Sequence, residues 1–381
     1  MVEPKHSYQE LKIRQRLPLE AKLAMTKLRI REWVDHFGVE GVYISFSGGK
    51  DSTVLLHLVR EIYPDVPAVF SDTGLEFPEI RDFVKKFDNV TIVRPKMNFK
   101  QVINVYGYPF FSKELSAILG GAQKSLAILE ADGVDIHDTE KIIEECNKRF
   151  KSQPGEWRRL AQSLGFITMN NEIKYDITEE EKGQYSDIAD KYKSVIYAPF
   201  KVSDRCCRIM KKKPMHDYQK ETGRNPMTAQ MADESRLRTK NWVQHGCNMY
   251  DALFPISNPM SFWTEQDVLR YIKENNIEIC SVYGDIVPVD KEEELEGQLD
   301  FADLGLINDN RKLKTTGCDR TGCMFCGYGC QVEPPPGRFY RMKETHPKQY
   351  EFIMKPAEKG GLNYKEIIDW INENCGFDIK Y

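Results

Sequence analysis

Short apolar runs alternating with helical ones set the frame of this chain. Val42-Tyr43-Ile44-Ser45-Phe46, Ala68-Val69-Phe70-Ser71 and Val90-Thr91-Ile92-Val93 are rich in β-branched and aromatic residues and predict strands. Thr53-Val54-Leu55-Leu56-His57-Leu58-Val59, between the first two, predicts a helix. This alternation predicts a parallel sheet with crossover helices, an α/β core whose ligands sit at the carboxyl ends of strands. Ahead of it, Ser7 to Phe37 reads as mostly helix interrupted at Pro18, with Leu17, Leu19, Leu23, Leu28 and Ile30 on a packing face.

Beyond the core, Lys113 to Lys193 is polar and mostly helical, including Asp135–Arg149 and Glu179–Tyr192, and reads as an insertion. Ser194–Ala198 predicts a returning strand, Asn225–Met231 another, and a helix follows from about Asp233. Thr264-Glu265-Gln266-Asp267 is a capping box that opens a further helix. Lys291–Glu296 predicts a solvated acidic loop, Cys318–Pro336 an irregular segment that needs a staple, and Tyr340–Trp370 a return to helix. These shifts divide the chain into an N-terminal helical segment (1–40), an α/β domain (41–275, with a helical insertion at about 113–193) and a Cys-rich metal-binding and helical region (276–381).

Composition changes this picture little. The 381 residues suffice for two or three structural units, and 41% hydrophobic with 29% charged residues is ordinary for a soluble globular protein. A formal net charge of −4 excludes a global field that attracts nucleic acid, so such a contact needs a local basic patch such as Arg205–Lys213. No apolar run is long enough to span a bilayer and no signal-type apolar segment opens the chain, so a cytoplasmic protein without a membrane partner is expected.

The strongest chemical signal is Ser47-Gly48-Gly49-Lys50-Asp51-Ser52, a glycine turn between a predicted strand and a predicted helix. Such a turn aims backbone N–H groups and a helix N-terminus at one point, where an anion can sit. The spacing is not that of a Walker loop. The second signal is the ten cysteines. Cys206 and Cys207 are adjacent, and Cys318, Cys323, Cys326 and Cys330 fall close together, which in a reducing compartment points to metal or redox chemistry. The spacing of the latter four suits tetrahedral zinc or an iron–sulfur cluster.

The glycine turn resembles the PP-loop of the ATP pyrophosphatases. Asp72-Thr73-Gly74-Leu75-Glu76-Phe77-Pro78-Glu79, Cys206-Cys207-Arg208 with Lys211 and Pro214, Thr228–Arg236, and Trp263–Val268 with Tyr271-Ile272 follow in the order seen in assimilatory sulfate reductases. Together they identify the chain as similar to the phosphoadenosine phosphosulfate (PAPS) reductase-like family of the adenine nucleotide α-hydrolase superfamily. The resemblance implies a HUP-type parallel-sheet core. It also implies a nucleotide site at Ser47, Gly48, Gly49, Lys50, Asp51, Ser52, Asp72, Gly74 and Arg236. Lys50 and Asp51 are then the catalytic pair, ATP the nucleotide, and Asp51 and Asp72 the carboxylates for Mg²⁺. By likeness to adenosine phosphosulfate (APS) reductases, Cys206, Cys207, Cys323 and Cys326 are the ligands of a [4Fe–4S] cluster, with Zn²⁺ the alternative.

The departures decide between activities. Ala229 and Met231 stand where the family has Gly and Arg, leaving Arg236 or Arg238 to take over. Sulfonucleotide reductases carry a degraded PP-loop, whereas Lys50 and Asp51 are both present here. They also end in E-C-G-[IL]-H, whereas this chain has Asn374-Cys375-Gly376-Phe377-Asp378, so Cys375 reads as a buried structural thiol. The first expectation is therefore an ATP pyrophosphatase that adenylates an acceptor and supports sulfur transfer, acting on an adenine nucleotide, an acceptor (nucleic acid or small molecule) and a sulfur donor. The second is an APS/PAPS reductase, and the third a zinc-containing nucleic-acid-binding or nucleotide-sensing protein. Homo-oligomerisation is left open.

Overall fold

The computed structural model describes residues 4–150, 154–165, 188–289 and 311–381; the acidic loop Lys291–Glu296 and most of the helix expected at Glu179–Tyr192 lie outside them. Backbone packing divides the chain into two compact units, residues 1–96 with 211–323, and residues 97–210 with 324–381. This division cuts across the boundaries read at 40 and 275. The N-terminal helices pack into the sheet's own core, which sequence adjacency does not reveal.

The first unit holds a six-stranded sheet. Its strands are β1 (Val42–Ser45), β2 (Ala68–Ser71), β3 (Val90–Val93), β4 (Asn225–Met227), β5 (Asn248–Met249) and β6 (Ile256–Ser257). The spatial order is β3-β2-β1-β4-β6-β5, parallel throughout except for β5 against β6. Ile44 pairs with Ala68, Ala68 with Val90, and Tyr43 with Pro226. The order runs outward in both directions from β1 and β4, so the carboxyl ends of these two strands flank a topological switch point, where open parallel sheets bind ligands. Burial of Val42, Tyr43 and Ile44 accounts for the apolar run that opens β1.

Around the sheet lie α1 (Tyr8–Gln15), α2 (Leu19–Phe37), α3 (Lys50–Ile62), α4 (Pro78–Val84), α5 (Lys213–Thr222), α6 (Arg236–His245) and α7 (Glu265–Glu274). Pro18 separates α1 from α2 as expected. Thr264 caps α7 by accepting from the Asp267 N–H, and Val268, Leu269, Tyr271 and Ile272 form its buried stripe. One polar contact joins α2 to α7: the Lys22 ammonium, almost wholly buried, lies 2.6 Å from the Asp267 carboxylate and donates to the Gln15 carbonyl at 2.7 Å. Strands β7 (Ile286–Pro288) and β8 (Leu313–Thr315) form an antiparallel pair.

The second unit is mostly helical, with helices Phe99–Tyr106, Lys113–Ala131, Thr139–Phe150, Pro154–Ser163, Arg338–Thr345, Pro347–Met354 and Tyr364–Cys375. A short parallel pair joins Phe110–Phe111 to Gly327–Tyr328. One expectation fails here. Ser194–Ala198 is not a strand, because Asp190–Tyr197 winds as a 3₁₀ helix. Val195 and Ile196 are buried, and the Gln123 side chain donates to the Val195 carbonyl at 3.0 Å. An apolar β-branched run thus finds its burial against a helix rather than in a sheet. Likewise Asn225–Met231 is strand only to Met227, and the helix expected from about Asp233 begins as a 3₁₀ turn at Ala232–Glu234. Cys318–Pro336 is irregular apart from two strand residues and one 3₁₀ turn. Among the described residues no helix is long and apolar enough to cross a membrane.

Replacing Lys22 by Ala leaves the Asp267 carboxylate in the core without its counter-charge, held only by Thr264. The expected loss is about 3 kcal/mol of stability, read as a lower urea midpoint by circular dichroism; an unchanged midpoint would show that the pair contributes nothing.

Candidate functional site

The Ser47–Ser52 turn leaves the carboxyl end of β1 and becomes the first turn of α3. Its shape is set by crowding. Gly48 sits at φ 71°, and a Cβ there would lie 2.8 Å from Val84 Cγ2 and 2.9 Å from Ile80 Cγ2 of α4. A Cβ on Gly49 would meet the Thr321 and Tyr283 hydroxyls at 3.1 Å each. Ser47 and Ser52 close the turn from inside: the Ser47 N–H donates to Ser52 Oγ at 3.1 Å, the two hydroxyls lie 3.0 Å apart, and Ser52 donates to the Gly49 carbonyl at 2.9 Å. Both serines are thus part of the loop's own scaffold as well as donors beside any ligand.

A strap from residues Gly317 to Gly322 lies on this turn. Tyr283 accepts from the Lys50 N–H at 3.1 Å and shares a 2.6 Å hydrogen bond with Thr321. The Lys50 ammonium does not reach into the turn. It donates to the Asp319 carbonyl at 2.9 Å and lies 3.1 Å from Glu265 and 3.6 Å from Asp51. Burial pushes the Asp51 carboxyl pKa up, a rise opposed by Lys50 and reinforced by Glu265. Tyr283, Asp319 and Thr321 belong to no motif that the sequence offered. Glu265 stood in the W-T-E-x-D-V segment, but nothing there tied it to Lys50.

The remaining site residues divide. Asp72 is buried at the end of β2 and binds both Arg81 and Arg94 at 3.1 Å, so its one carboxylate is shared between two guanidinium groups. Gly74 follows at φ 75° with its N–H on the Asp72 carboxylate at 3.3 Å. Glu76 is turned back onto Thr73, accepting from its hydroxyl at 2.6 Å. Arg236 is exposed at the start of α6, while Arg238, two residues on, is half-buried and pairs with Glu234. Arg320 of the strap also approaches Glu234, at 3.7 Å.

Two cavities open beside the turn. One of about 140 Å³ is lined by Ser45, Ser47, Ser71, Glu76, Lys211 and Thr321 among others. A larger one of about 470 Å³ lies at the switch point, reaching Ser45, Thr228 and Asn258 at the ends of β1, β4 and β6. Ser45, Lys211 and Met215 line both.

In the second unit, Cys206, Cys326 and Cys330 lie within electrostatic reach of the buried Tyr364, and Cys206, Cys207 and Cys326 within reach of Tyr328. Hydrogen bonds fix their loops: the Tyr328 hydroxyl donates to the Ser203 carbonyl at 2.9 Å, and Arg338 donates to the Cys326 carbonyl at 2.8 Å. Burial pushes the Cys326 thiol up and the Cys330 thiol up to about 12, so both are protonated at neutral pH without a metal. Among the described residues no three Cys, His, Asp or Glu side chains converge closely enough to hold a metal ion. The donor chemistry therefore suits a thiolate-bound centre, and the placement of the thiols as they stand does not form one. Cys375 is buried at the end of the last helix, with its sulfur 3.8 Å from Ser194 Oγ.

A family model described as phosphoadenosine phosphosulfate reductase domain matches residues 41–116 and 163–328, well over half of the chain. The chain is 46% identical over 43 residues to a phosphoadenosine 5'-phosphosulfate reductase of Photorhabdus laumondii, covering 11% of this chain and 18% of that one. Against the corresponding Escherichia coli reductase it is 39% identical over 61 residues, 16% and 23% of the two chains. An uncharacterized protein of Methanocaldococcus jannaschii is 43% identical over 70 residues, 17% of each. The chain thus spans about a fifth of the length of these relatives. The crystal structure of PAPS reductase from Candida auris in its phosphate complex aligns over 79% of this chain and 98% of that one, at 13% identity and a TM-score of 0.34.

Burial gives Asp51 a pH signature. Its folded-state pKa is raised, so the native state holds the proton more tightly than the unfolded chain and stability falls as pH rises past the ordinary value of 3.8. Asp51→Asn is expected to stabilise the protein at neutral pH, with the gain vanishing below that ordinary value. Urea titrations across this range check it, and a gain that grows on acidification contradicts it.

Proposed function

Since the chain belongs to the phosphoadenosine phosphosulfate reductase domain family, we propose that it binds an adenine nucleotide at the Ser47–Ser52 turn. There it cleaves ATP between the α- and β-phosphates, leaving AMP on an acceptor and releasing pyrophosphate. The observation that carries this reading is the turn itself. Gly48, at positive φ with no room for a Cβ, and the tightly packed Gly49 hold the backbone at a helix N-terminus, beside a pocket that Ser47 and Lys211 line.

The roles follow from the geometry. Lys211 supplies positive charge at the phosphates, while Lys50 acts as a positioning residue that ties the strap to the first turn of α3. Asp51, whose Oδ1 is buried without a hydrogen-bond partner, is the carboxylate that suits Mg²⁺ shared with phosphate oxygens. Asp72 is committed to Arg81 and Arg94 and is the weaker candidate. Arg238, rather than Arg236, is the arginine that reaches the larger cavity.

Sulfur transfer is the finer part of the reading. A [4Fe–4S] centre on Cys206, Cys207, Cys323 and Cys326 is supported by their thiol chemistry and not by their placement, which brings no three of them to one point. Such a centre would supply electron transfer or hold sulfide. Reduction of APS or PAPS is the second reading, favoured by the names of the relatives and disfavoured by Cys375, which is buried and raised in pKa rather than presented as a nucleophile.

Pyrophosphate release from ATP, followed with a coupled pyrophosphatase, tests the first reading. Lys50→Ala is expected to lower that release by about two orders of magnitude; wild-type turnover in this variant would remove Lys50 from the reaction. Sulfite formed from APS or PAPS with thioredoxin, without ATP, would instead establish the reductase. Anaerobically purified protein is expected to contain iron and acid-labile sulfide, and zinc without sulfide would refute the cluster.

A further inference from the structure

The strap over the glycine turn occupies a donor that a phosphate would use. The N–H groups of Ser47 and Gly49 donate to the turn's own hydroxyls, Ser52 at 3.1 Å and Ser47 at 3.3 Å. The Lys50 N–H, first in α3, donates instead to Tyr283, far along the chain, at 3.1 Å. The Tyr283 hydroxyl in turn shares a 2.6 Å hydrogen bond with Thr321. Both hydroxyls sit on the face of the turn, each 3.1 Å from where a Cβ on Gly49 would lie. A helix-opening N–H is the group that an anion takes, and here a hydroxyl pair holds it.

The strap is fastened unevenly. At its root the Gly317 and Cys318 N–H groups donate to the Tyr283 and Val282 carbonyls at 2.9 Å each, and a Cβ on Gly317 would collide with the Val282 carbonyl. Beyond Cys318 the ties run to side chains. The Asp319 carbonyl accepts from the Lys50 ammonium at 2.9 Å, the Thr321 hydroxyl meets Tyr283, and exposed Arg320 lies 3.7 Å from Glu234. A Cβ on Gly322 would meet open space. Thr321 and Gly322 line the pocket beside the turn, so the loosely tied part of the strap is the part that faces ligand.

We propose that the strap is a built-in competitor of phosphate at the glycine turn, and that nucleotide binding displaces it. This role rests on the nucleotide reading above. Phosphate oxygens take the Lys50 N–H from Tyr283, the Tyr283–Thr321 pair loses its anchor, and Asp319–Gly322 swings away from a root that stays fastened at Gly317 and Cys318. The same movement frees the Lys50 ammonium from the Asp319 carbonyl, so the cation that closes the strap becomes available to phosphate. The serine hydrogen bonds within the turn take no part in the exchange, and the turn keeps its shape. Affinity for nucleotide is lowered in proportion to the share of molecules whose strap is closed, so weakening the closed state tightens binding.

Two variants weaken the closed state. Tyr283→Phe keeps the ring and removes the accepting hydroxyl, and Thr321→Ala removes that hydroxyl's partner. In equilibrium dialysis of the full chain, each is expected to bind radiolabelled ATP and inorganic pyrophosphate about fivefold more tightly than the wild type, the worth of one hydrogen bond. Adenosine, which carries no phosphate, should bind all three proteins alike. In limited trypsin digestion of the wild type, cleavage after exposed Arg320 is expected to quicken about fivefold when ATP is added. Unchanged or weaker binding of ATP and pyrophosphate in both variants, an equal tightening of adenosine, or ATP that slows or leaves unaltered the cleavage after Arg320 overturns the proposal. Tightened ATP binding with no pyrophosphate released would remove the cleavage reading and keep the strap's role. No ATP bound by any of the three proteins would remove the nucleotide site, and the strap's role with it.

Discussion

The site depends on one steric constraint, the lack of room around Gly48 and Gly49. The α4 side chains Ile80 and Val84 press on the first glycine, and Tyr283 and Thr321 on the second. Gly48 is held at positive φ, a conformation that a residue with a side chain would adopt only under strain. The serine hydroxyls then lock the turn from within. The neighbouring groups are arranged around a loop tied by its own hydrogen bonds, and fixed dipoles act on a phosphate without reorganising.

That rigidity gives the charged residues their work. A lysine beginning a helix in a glycine turn would ordinarily be assigned to phosphate. Here its ammonium is buried among Glu265, Asp51 and the Asp319 carbonyl, and it holds the strap in place. Asp72 similarly serves two arginines. The cation that lines both open cavities is Lys211, in the π-helical turn Arg208–Lys212 that leads into α5. Charge in this site is thus distributed between groups that fix the scaffold and groups that face ligand.

The cysteines show a different balance. Adjacent Cys206 and Cys207 come near Cys326 because the Gly327–Tyr328 strand pairs with Phe110–Phe111 and Tyr328 bonds to the Ser203 carbonyl. Cys330 joins the same neighbourhood, held by burial and by the Glu333–Arg338 pair that braces its loop. A soft metal displaces thiol protons to solvent when it binds, so the protonated state of these thiols without a metal is compatible with a metal-binding role.

The sequence alone determined the strands β1 to β3, the break at Pro18, the cap of α7 and the glycine turn, because each rests on local pattern or backbone chemistry. It also identified the family, through motifs read in order along the chain. It could not tell that Ser194–Ala198 would coil against a helix, because burial of an apolar run looks the same in either setting. Nor could it show that Lys50 faces inward or that Asp72 is occupied, since their partners lie far along the chain or depend on how the strand ends meet. Spacing placed the chemistry near β1. Tertiary packing decided which charges hold the loop and which face the cavity, because electrostatic pairing follows distance in space rather than in sequence.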